Sequence, residues 1–507
     1  MRKRLETAGL HCALLLGGGL TAVVPDALAA LPKWNYSASA SETFTDNAGA
    51  DGTSDSESDQ ITKVSLSVAL VHKGARISSS LRLSGEARDF ARESSRDNSR
   101  LLGSGLARAE LVEQRLFLDV SGSISEEHTS AFGKTSADGT IDIDNRSIVR
   151  RYSTGLRAPI RVGNSVQGNA DLRMDWTSGG KVTNGTRINK TLHIGLGDSS
   201  AWGDLGWNFA VTRSQLGGSA LANEADSSTA RISLIYSYTD NLAFRLIGGR
   251  ESNDFDDGAR QSAYTRGAGA TLRLSPRTSI DSEIERRFFG TGYNFTVRHS
   301  RPLSSIQIRY SRDVTSIDGT GLVSIEELAY RELFVSLESS IPDDAERERV
   351  ARGLAALVPD GSTTFVSFLT NSFSVSRRLS VTGSLVGARN TLTIGLSAGE
   401  NERIGSGGGL DTGDDFTRFS RVKTTSISST LSHRITGNTN LIVSASANRS
   451  EGGGESNQEV MRRSMSVGYN TKVGPHTNGA VSVRRQRSTG STDYTESALI
   501  LSLTARF

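Results

Sequence analysis

The last fourteen residues, Tyr494 to Phe507, read YTESALILSLTARF and alternate along their whole length. Leu499, Leu501, Leu503, Ala505 and Phe507 fall on one face of a two-residue repeat, and Ala498, Ile500, Ser502, Thr504 and Arg506 fall on the other. A repeat of two is the signature of a β-strand, whose successive side chains point to opposite faces. One face here suits hydrocarbon and the other suits water. A strand that separates lipid from a wet lumen needs that division.

The rest of the chain repeats this strand. Trp34, Tyr36, Ala38 and Ala40 alternate with Asn35, Ser37 and Ser39, and Val64, Leu66, Val68 and Leu70 mark a second strand that ends at a tight turn, Lys73-Gly74. Leu116 to Ile124 marks the fifth. The seventh sets Val166, Gly168, Ala170, Leu172, Met174 and Trp176 against Gln167, Asn169, Asp171, Arg173 and Asp175. A dry core could not hold that second face without pairing every charge, but a water-lined wall can. Counted this way the chain holds about 22 strands of roughly ten residues or more, the length a tilted membrane strand needs. Short turns are expected at Glu113-Gln114, Asp198 to Ser200, Thr239 to Asn241, Ser275 to Arg277, Pro302-Leu303, Ala388 to Asn390, Gly437-Asn438 and Gly474-Pro475. Longer polar loops alternate with them, at Glu127–Asn145, Gln215–Ser227, Glu400–Asp415 and Glu451–Asn457. Short on one side and long on the other is the habit of periplasmic turns and extracellular loops. The fold class read from this pattern is all-β, a transmembrane antiparallel barrel whose terminal strands close the sheet.

The N-terminus supplies the route. Arg2, Lys3 and Arg4 precede an apolar run from Gly9 to Val24 and the small-residue site Ala27-Leu28-Ala29. Residues 1–29 read as a secretory signal peptide and 30–507 as the barrel, placed in the outer membrane of a Gram-negative cell. Cys12, the chain's one cysteine, falls inside the signal. Only 36% of the 507 residues are hydrophobic, which excludes a bundle of membrane helices. Taking Arg2, Lys3, Arg4, Glu6 and Asp26 from 58 basic and 55 acidic residues leaves 55 and 53, a net of +2. That balance excludes a nucleic-acid binder, which would be locally and strongly basic.

One segment breaks the rhythm. From Gly321 to Leu357 apolar residues recur at three and four: Leu322, Ile325, Ala329, Leu333 and Leu337, then Val350, Leu354 and Leu357. Pro342, Asp343 and Asp344 stand where a second helix would start. A helical hairpin between strands fifteen and sixteen is expected, on the extracellular side. Its polar residues, Glu326, Arg331, Asp343, Asp344 and Arg347 among them, make it the expected gate of a pore too wide for side chains to fill.

Several blocks resemble a known family. They are ASETFTDN (Ala40–Asn47), AELVEQRLFLDVSGSIS (Ala109–Ser125), ERRFFGTGY (Glu285–Tyr293), YSRDVTS (Tyr310–Ser316), SIPDDAERERV (Ser340–Val350), FLTNSFSVSRRL (Phe368–Leu379) and GARNTLT (Gly387–Thr393). In this order they resemble the outer-membrane β-barrels associated with PEP-CTERM/exosortase and exopolysaccharide gene clusters. The resemblance implies a role in export of polysaccharide or surface protein, and it brings no catalytic residue with it. The terminal Phe507 resembles the signal that outer-membrane barrels present to the barrel assembly machinery.

No catalytic, metal or cofactor site is expected. The acidic stretch Asp46–Asp59 lacks the order of ligands of a calcium loop and reads as a solvated loop. Glu126, Glu127 and His128 have no partner at a defensible spacing for catalysis. The lumen-lining candidates are Asp171, Arg173, Asp175, Asp281, Glu283, Glu285 and Arg287, which either brace the wall or select what passes. Trp176, Trp202, Trp207, Phe288 and Phe289 suit interfacial girdles or a sugar-stacking track. The expected surroundings are outer-membrane lipid and lipopolysaccharide, with polysaccharide as the expected passenger. The functional expectation is a porin-like conduit for a surface polymer, or a non-conducting scaffold that binds partners through its loops. A receptor with an N-terminal plug domain is not expected, since the first strand begins by Trp34.

Overall fold

The computed structural model describes residues 32–52, 56–135, 145–179, 185–219, 224–256, 259–315, 372–405, 414–454, 457–491 and 493–507. They form 22 antiparallel strands in one ring. In chain order these are β1 (Lys33–Thr45), β2 (Asp59–Lys73), β3 (Ile77–Phe90), β4 (Asn98–Val112), β5 (Leu116–His128), β6 (Arg146–Val162), β7 (Val166–Ser178), β8 (Thr186–Trp202), β9 (Leu205–Gly217), β10 (Ala225–Thr239) and β11 (Leu242–Asp256). They continue as β12 (Ala259–Ser275), β13 (Thr278–Arg287), β14 (Gly290–Arg301), β15 (Ser304–Thr315), β16 (Ser374–Val386), β17 (Asn390–Arg403), β18 (Arg421–Thr436), β19 (Thr439–Gly453), β20 (Gln458–Lys472), β21 (Thr477–Gly490) and β22 (Tyr494–Arg506). Each strand pairs with its neighbours in sequence. β1 pairs with β22 from Ser37↔Arg506 to Thr45↔Ala498, so no edge is left.

The alternation sets the faces. Leu499, Leu501 and Leu503 point out and are exposed, as are Met465, Val467 and Tyr469 on β20 and Val481 and Val483 on β21. Their neighbours Ser502, Ser466 and Ser482 point inward. Because paired residues share a face, the register carries this division round the ring. A closed ring with an apolar outer belt and a polar inner wall satisfies every ladder hydrogen bond and is suited to hydrocarbon, so the molecule is an outer-membrane β-barrel. At the short-turn end Trp34 stacks on Tyr36, with centroids 6.3 Å apart, and Tyr236 packs with Tyr238. Trp202 is exposed at the same end. Trp176, paired with Tyr152, and Trp207 lie on outward rows. Phe288 and Phe289 sit at the opposite end, in edge contact at 5.3 Å.

Two expectations about connections change. Asp198 to Ser200 is not a turn. β8 runs through it with a register shift between Asp198 and Trp202, and Asp198 Oδ1 accepts the Ser200 N–H at 3.0 Å. The chain reverses at Gly203, whose φ of 71° is the left-handed conformation glycine adopts freely. The long connections are also shorter than expected, since β5 continues to His128, β9 to Gly217, β17 to Arg403 and β19 to Gly453. The expected helical hairpin, residues 321–357, and the signal segment, residues 1–29, lie outside the described residues.

Candidate functional site: the lumen and its extracellular seal

The lumen wall has two arcs. From β16 round to β2 its inward rows are largely hydroxyls. Ser397 and Ser426 meet across strands at 2.9 Å, as do Ser67 and Ser84, while Ser444 and Ser466 meet at 2.6 Å. Ser380↔Ser397, Ser428↔Ser446, Ser41↔Ser502 and Ser39↔Ser65 continue the rows. From β3 to β15 the wall is charged, and many of its charges are paired. Arg108–Asp119, Asp119–Arg157 and Arg157–Asp171 run across β4 to β7 at 2.6, 3.3 and 3.1 Å.

All seven lumen candidates face inward, and each has an ionic partner. Asp171 pairs with Arg157, Arg173 with Asp175 at 2.7 Å, and Asp281 with Arg245 at 2.9 Å. Arg231 holds both Glu283 and Glu285, the latter at 2.9 Å. Arg287 bridges Glu251 at 2.8 Å and Asp313 at 2.7 Å. The more exposed pairs, Arg157–Asp171 and Arg173–Asp175, each contribute about 0–1 kcal/mol, whereas Glu251 and Glu285 are buried against their arginines.

At the extracellular end three loops fold inward and pack on one another. Between β17 and β18, Asp415–Arg418 forms a one-turn helix, α1. Asp414 starts it by accepting the Thr417 N–H at 3.1 Å. Between β5 and β6, residues 129–135 cross to meet it. Asp415 Oδ1 accepts the Ser130 hydroxyl and Oδ2 accepts the Ala131 N–H, both at 2.6 Å. Phe132 packs on Phe419 with ring centroids 4.8 Å apart. With Ala131, Phe416, Val422 and Val460 they make a buried cluster inside the barrel mouth. Gly452 on β19 gives Phe419 its place, since a Cβ there would lie 2.7 Å from the ring.

The wall holds the crossing loop at several points. Arg462 of β20 donates to the carbonyls of Ala131 and Gly133 at 3.1 and 2.5 Å. Tyr494 of β22 donates its hydroxyl to the Thr135 carbonyl at 2.6 Å. Asn145 shapes the loop from within, accepting from Thr129 Oγ1 and Ser130 N and donating to the carbonyls of Ser130 and Lys134. Six strands (β4, β3, β2, β1, β22 and β21) separate β5 from β20 in the ring, so residues 129–135 span a chord of the mouth. The third loop joins β1 to β2. Its Asp51 receives Lys134 Nζ at 2.6 Å, and Asn47 through Ala50 are buried. The stretch expected to be a solvated loop is therefore partly built into the seal. Asp59 and Asp46 are taken up by backbone N–H groups of Arg92 and Ser497, at 3.0 and 2.7 Å.

Burial raises the Asp415 carboxyl from 3.8 to about 6, against the pull of the Ser130 and Ala131 donors and of Arg418. Glu126 and Glu127 end β5 rather than start a loop, and they bind Arg100 and Arg146, and Arg151, respectively. Residues 129–135 and 414–419 project into the mouth as well, at positions where no gate was expected. The gate candidates Glu326, Arg331, Asp343, Asp344 and Arg347 lie outside the described residues. The seal residues themselves left one legible trace. Asp414-Asp415-Phe416 with Phe419 three further on is a helix start carrying two aromatics in a polar loop, and a loop bound only for water has no use for those rings.

No family model matches the sequence, and no curated protein matches it. Solved structures similar to it include a mutant of the ferric enterobactin receptor PfeA from Pseudomonas aeruginosa, at 10% identity and a TM-score of 0.48, covering 94% of this chain and 80% of that one. The FrpB iron transporter from Neisseria meningitidis is 10% identical with a TM-score of 0.47, covering 93% and 82%. The siderophore receptor PirA from Acinetobacter baumannii is 10% identical with a TM-score of 0.44, covering 93% and 80%.

Proposed function

We propose that this barrel is a porin-like conduit for a hydrophilic surface polymer, an exopolysaccharide in particular, and that infolded loops keep its extracellular mouth shut until the polymer or a partner displaces them. The observation that carries the reading is the hydroxyl arc from β16 to β2. Rows of Ser and Thr offer hydrogen bonds to sugar hydroxyls at many equivalent positions, and a passenger can leave each site as easily as it enters. Many charges of the opposite arc are paired with one another across strands. The resemblance to exopolysaccharide-linked barrels supplies the polymer class.

A planar bilayer tests it. The intact barrel is expected to conduct weakly, and a variant with residues 130–134 replaced by Gly-Ser severalfold more. A neutral polysaccharide added to the opened variant is expected to block the current transiently. The built seal also suits a second reading, a non-conducting scaffold that presents loops to partners. An opened variant that keeps its heat-modifiable barrel yet stays silent would decide for the scaffold and against the conduit.

A further inference from the structure

Several cations on the outer wall above the apolar belt are paired with carboxylates. Arg213 meets Asp226 at 2.8 Å, Arg449 meets Glu451 and Glu459 at 2.7 and 3.0 Å, and Arg421 meets Glu400 at 3.6 Å. Two groups of three arginines instead stand together on neighbouring strands. On β11–β13 the outward rows climb from Leu246, Ala268 and Ile284 to Gly248, Arg266 and Arg286, with Arg250 and Tyr264 next. On β20–β21 they climb from Val467 and Val483 to Met465 and Arg485, then Arg463 and Arg487. All six arginines are exposed, and none has a carboxylate partner among the described residues.

The register makes this costly. Arg266 is the direct cross-strand partner of Arg286, and Arg463 of Arg487. Like charges set opposite each other, with Cβ atoms about 5 Å apart, destabilise a sheet. Arg250 leans over the Tyr264 ring at 5.7 Å and Arg463 reaches the Met461 sulfur at 3.3 Å; neither contact removes charge. A phosphate between two guanidinium forks would turn the repulsion into paired, charge-assisted hydrogen bonds.

We propose that these two arginine clusters are binding sites for phosphorylated lipid headgroups of the outer leaflet, such as the lipid A end of lipopolysaccharide. Their height selects a lipid over a free anion. Each cluster begins where the apolar belt ends on the long-loop side, at headgroup level. Directly beneath lie Leu246 and Ile284, 66% and 54% exposed, and beneath the second cluster Met465 and Val483, both 56% exposed. Acyl chains of the same lipid would cover those side chains while its phosphate meets the arginines. The assignment holds whether or not the lumen conducts.

The test uses the purified full barrel in a neutral detergent, with diphosphoryl lipid A, phosphatidylcholine and inorganic phosphate as probes, read by native mass spectrometry and thermal shift. The intact barrel is expected to retain diphosphoryl lipid A and to be stabilised by it, and phosphatidylcholine at the same concentration is expected to do neither. The paired substitutions Arg266→Gln with Arg286→Gln, and Arg463→Gln with Arg487→Gln, are each expected to weaken lipid A binding about ten-fold, roughly 1.4 kcal/mol. Undiminished binding in the variant that combines all four overturns the proposal. An equal thermal shift from inorganic phosphate overturns the lipid assignment and leaves an anion site. Should the Gln variants fail to assemble, the Arg→Lys versions keep the charge and lose the fork. Severalfold weaker binding in them supports the proposal, and unchanged binding overturns it.

Discussion

Asp415 ties the two infolded loops together, and its burial makes that tie sensitive to pH. Its carboxylate is the single group that accepts from both Ser130 and Ala131, and it does so in a buried place, with Arg418 at 3.8 Å and Arg462 of β20 as the facing cations and Asp414 as the neighbouring acid. Its affinity for a proton is raised in the docked state from 3.8 to about 6, so the docked loops bind more protons than free loops throughout that window. Docking is therefore strongest below the lower value and loses strength as pH rises to the upper one, by on the order of 3 kcal/mol. Conductance of the reconstituted barrel is expected to be lower with the extracellular side at pH 4.5 than at pH 7.5. Asp415→Asn should keep the loops docked and flatten this dependence; a variant as pH-sensitive as the parent would remove Asp415 from the latch. Phe132→Ala should act in the other sense and raise conductance at both pH values, since truncating a buried aromatic costs about 3–5 kcal/mol. The sequence marks these residues only faintly. Asp415 is one of many acids in polar loops, and what distinguishes it is a contact with Ser130, 285 positions away, which no local pattern encodes. The seven lumen charges were legible because alternation fixes a face, while their partners, Arg157, Arg231, Arg245 and Glu251, follow from register.

Elements were read with unequal success, for a physical reason. A strand between lipid and water must alternate at every step, so the pattern is redundant, and the starts of strands one, five and seven lie within a residue of where it puts them, while strand two starts five residues before Val64. Turns carry two or three residues of information. Asp198-Ser199-Ser200 has turn composition, yet the same residues serve a bulge, and only the left-handed Gly203 settles where the chain reverses. Loops carry still less, since the packing that orders them is long-range. The inward fold of residues 129–135 and 414–420 depends on surfaces supplied by β18, β19, β20 and β22. Two deletions separate the seal from the segment between β15 and β16. Replacing 130–134 by Gly-Ser should raise conductance severalfold. Removing 321–357 in the same way should raise it further only if that segment also stands in the pore. An unchanged current from the first deletion, with the barrel assembled, would mean that the loops close nothing.

At the scale of the whole molecule the barrel depends on one seam that no hairpin makes. Every other strand pair is joined by a short or long connection and forms at high local concentration, but β1 and β22 are brought together from opposite ends of the chain, and closing so long a loop costs more entropy than any other pairing. The seam is reinforced along its length. At the long-loop end the buried carboxylate of Glu496 accepts from Arg484 at 2.6 Å and from Thr45 Oγ1 at 3.1 Å. At the short-turn end Phe507 exchanges backbone hydrogen bonds with Tyr36, at 2.8 and 3.2 Å, while its ring stays 76% exposed. A ring so exposed adds little to the folded barrel from burial. The expected role of Phe507 in assembly can therefore be tested apart from folded-state stability. Phe507→Ala keeps the backbone bonds to Tyr36 and removes the ring. It should leave the thermal stability of barrel that has already assembled within about 0.5 kcal/mol of the parent. The same substitution should lower the amount reaching the outer membrane and raise the periplasmic stress response. Glu496→Ala should do the opposite, assembling in normal amount but melting earlier, because it leaves Arg484 buried without its carboxylate. Equal outer-membrane levels for Phe507→Ala and parent, measured by heat-modifiable migration, would assign the terminal ring to packing and remove it from assembly.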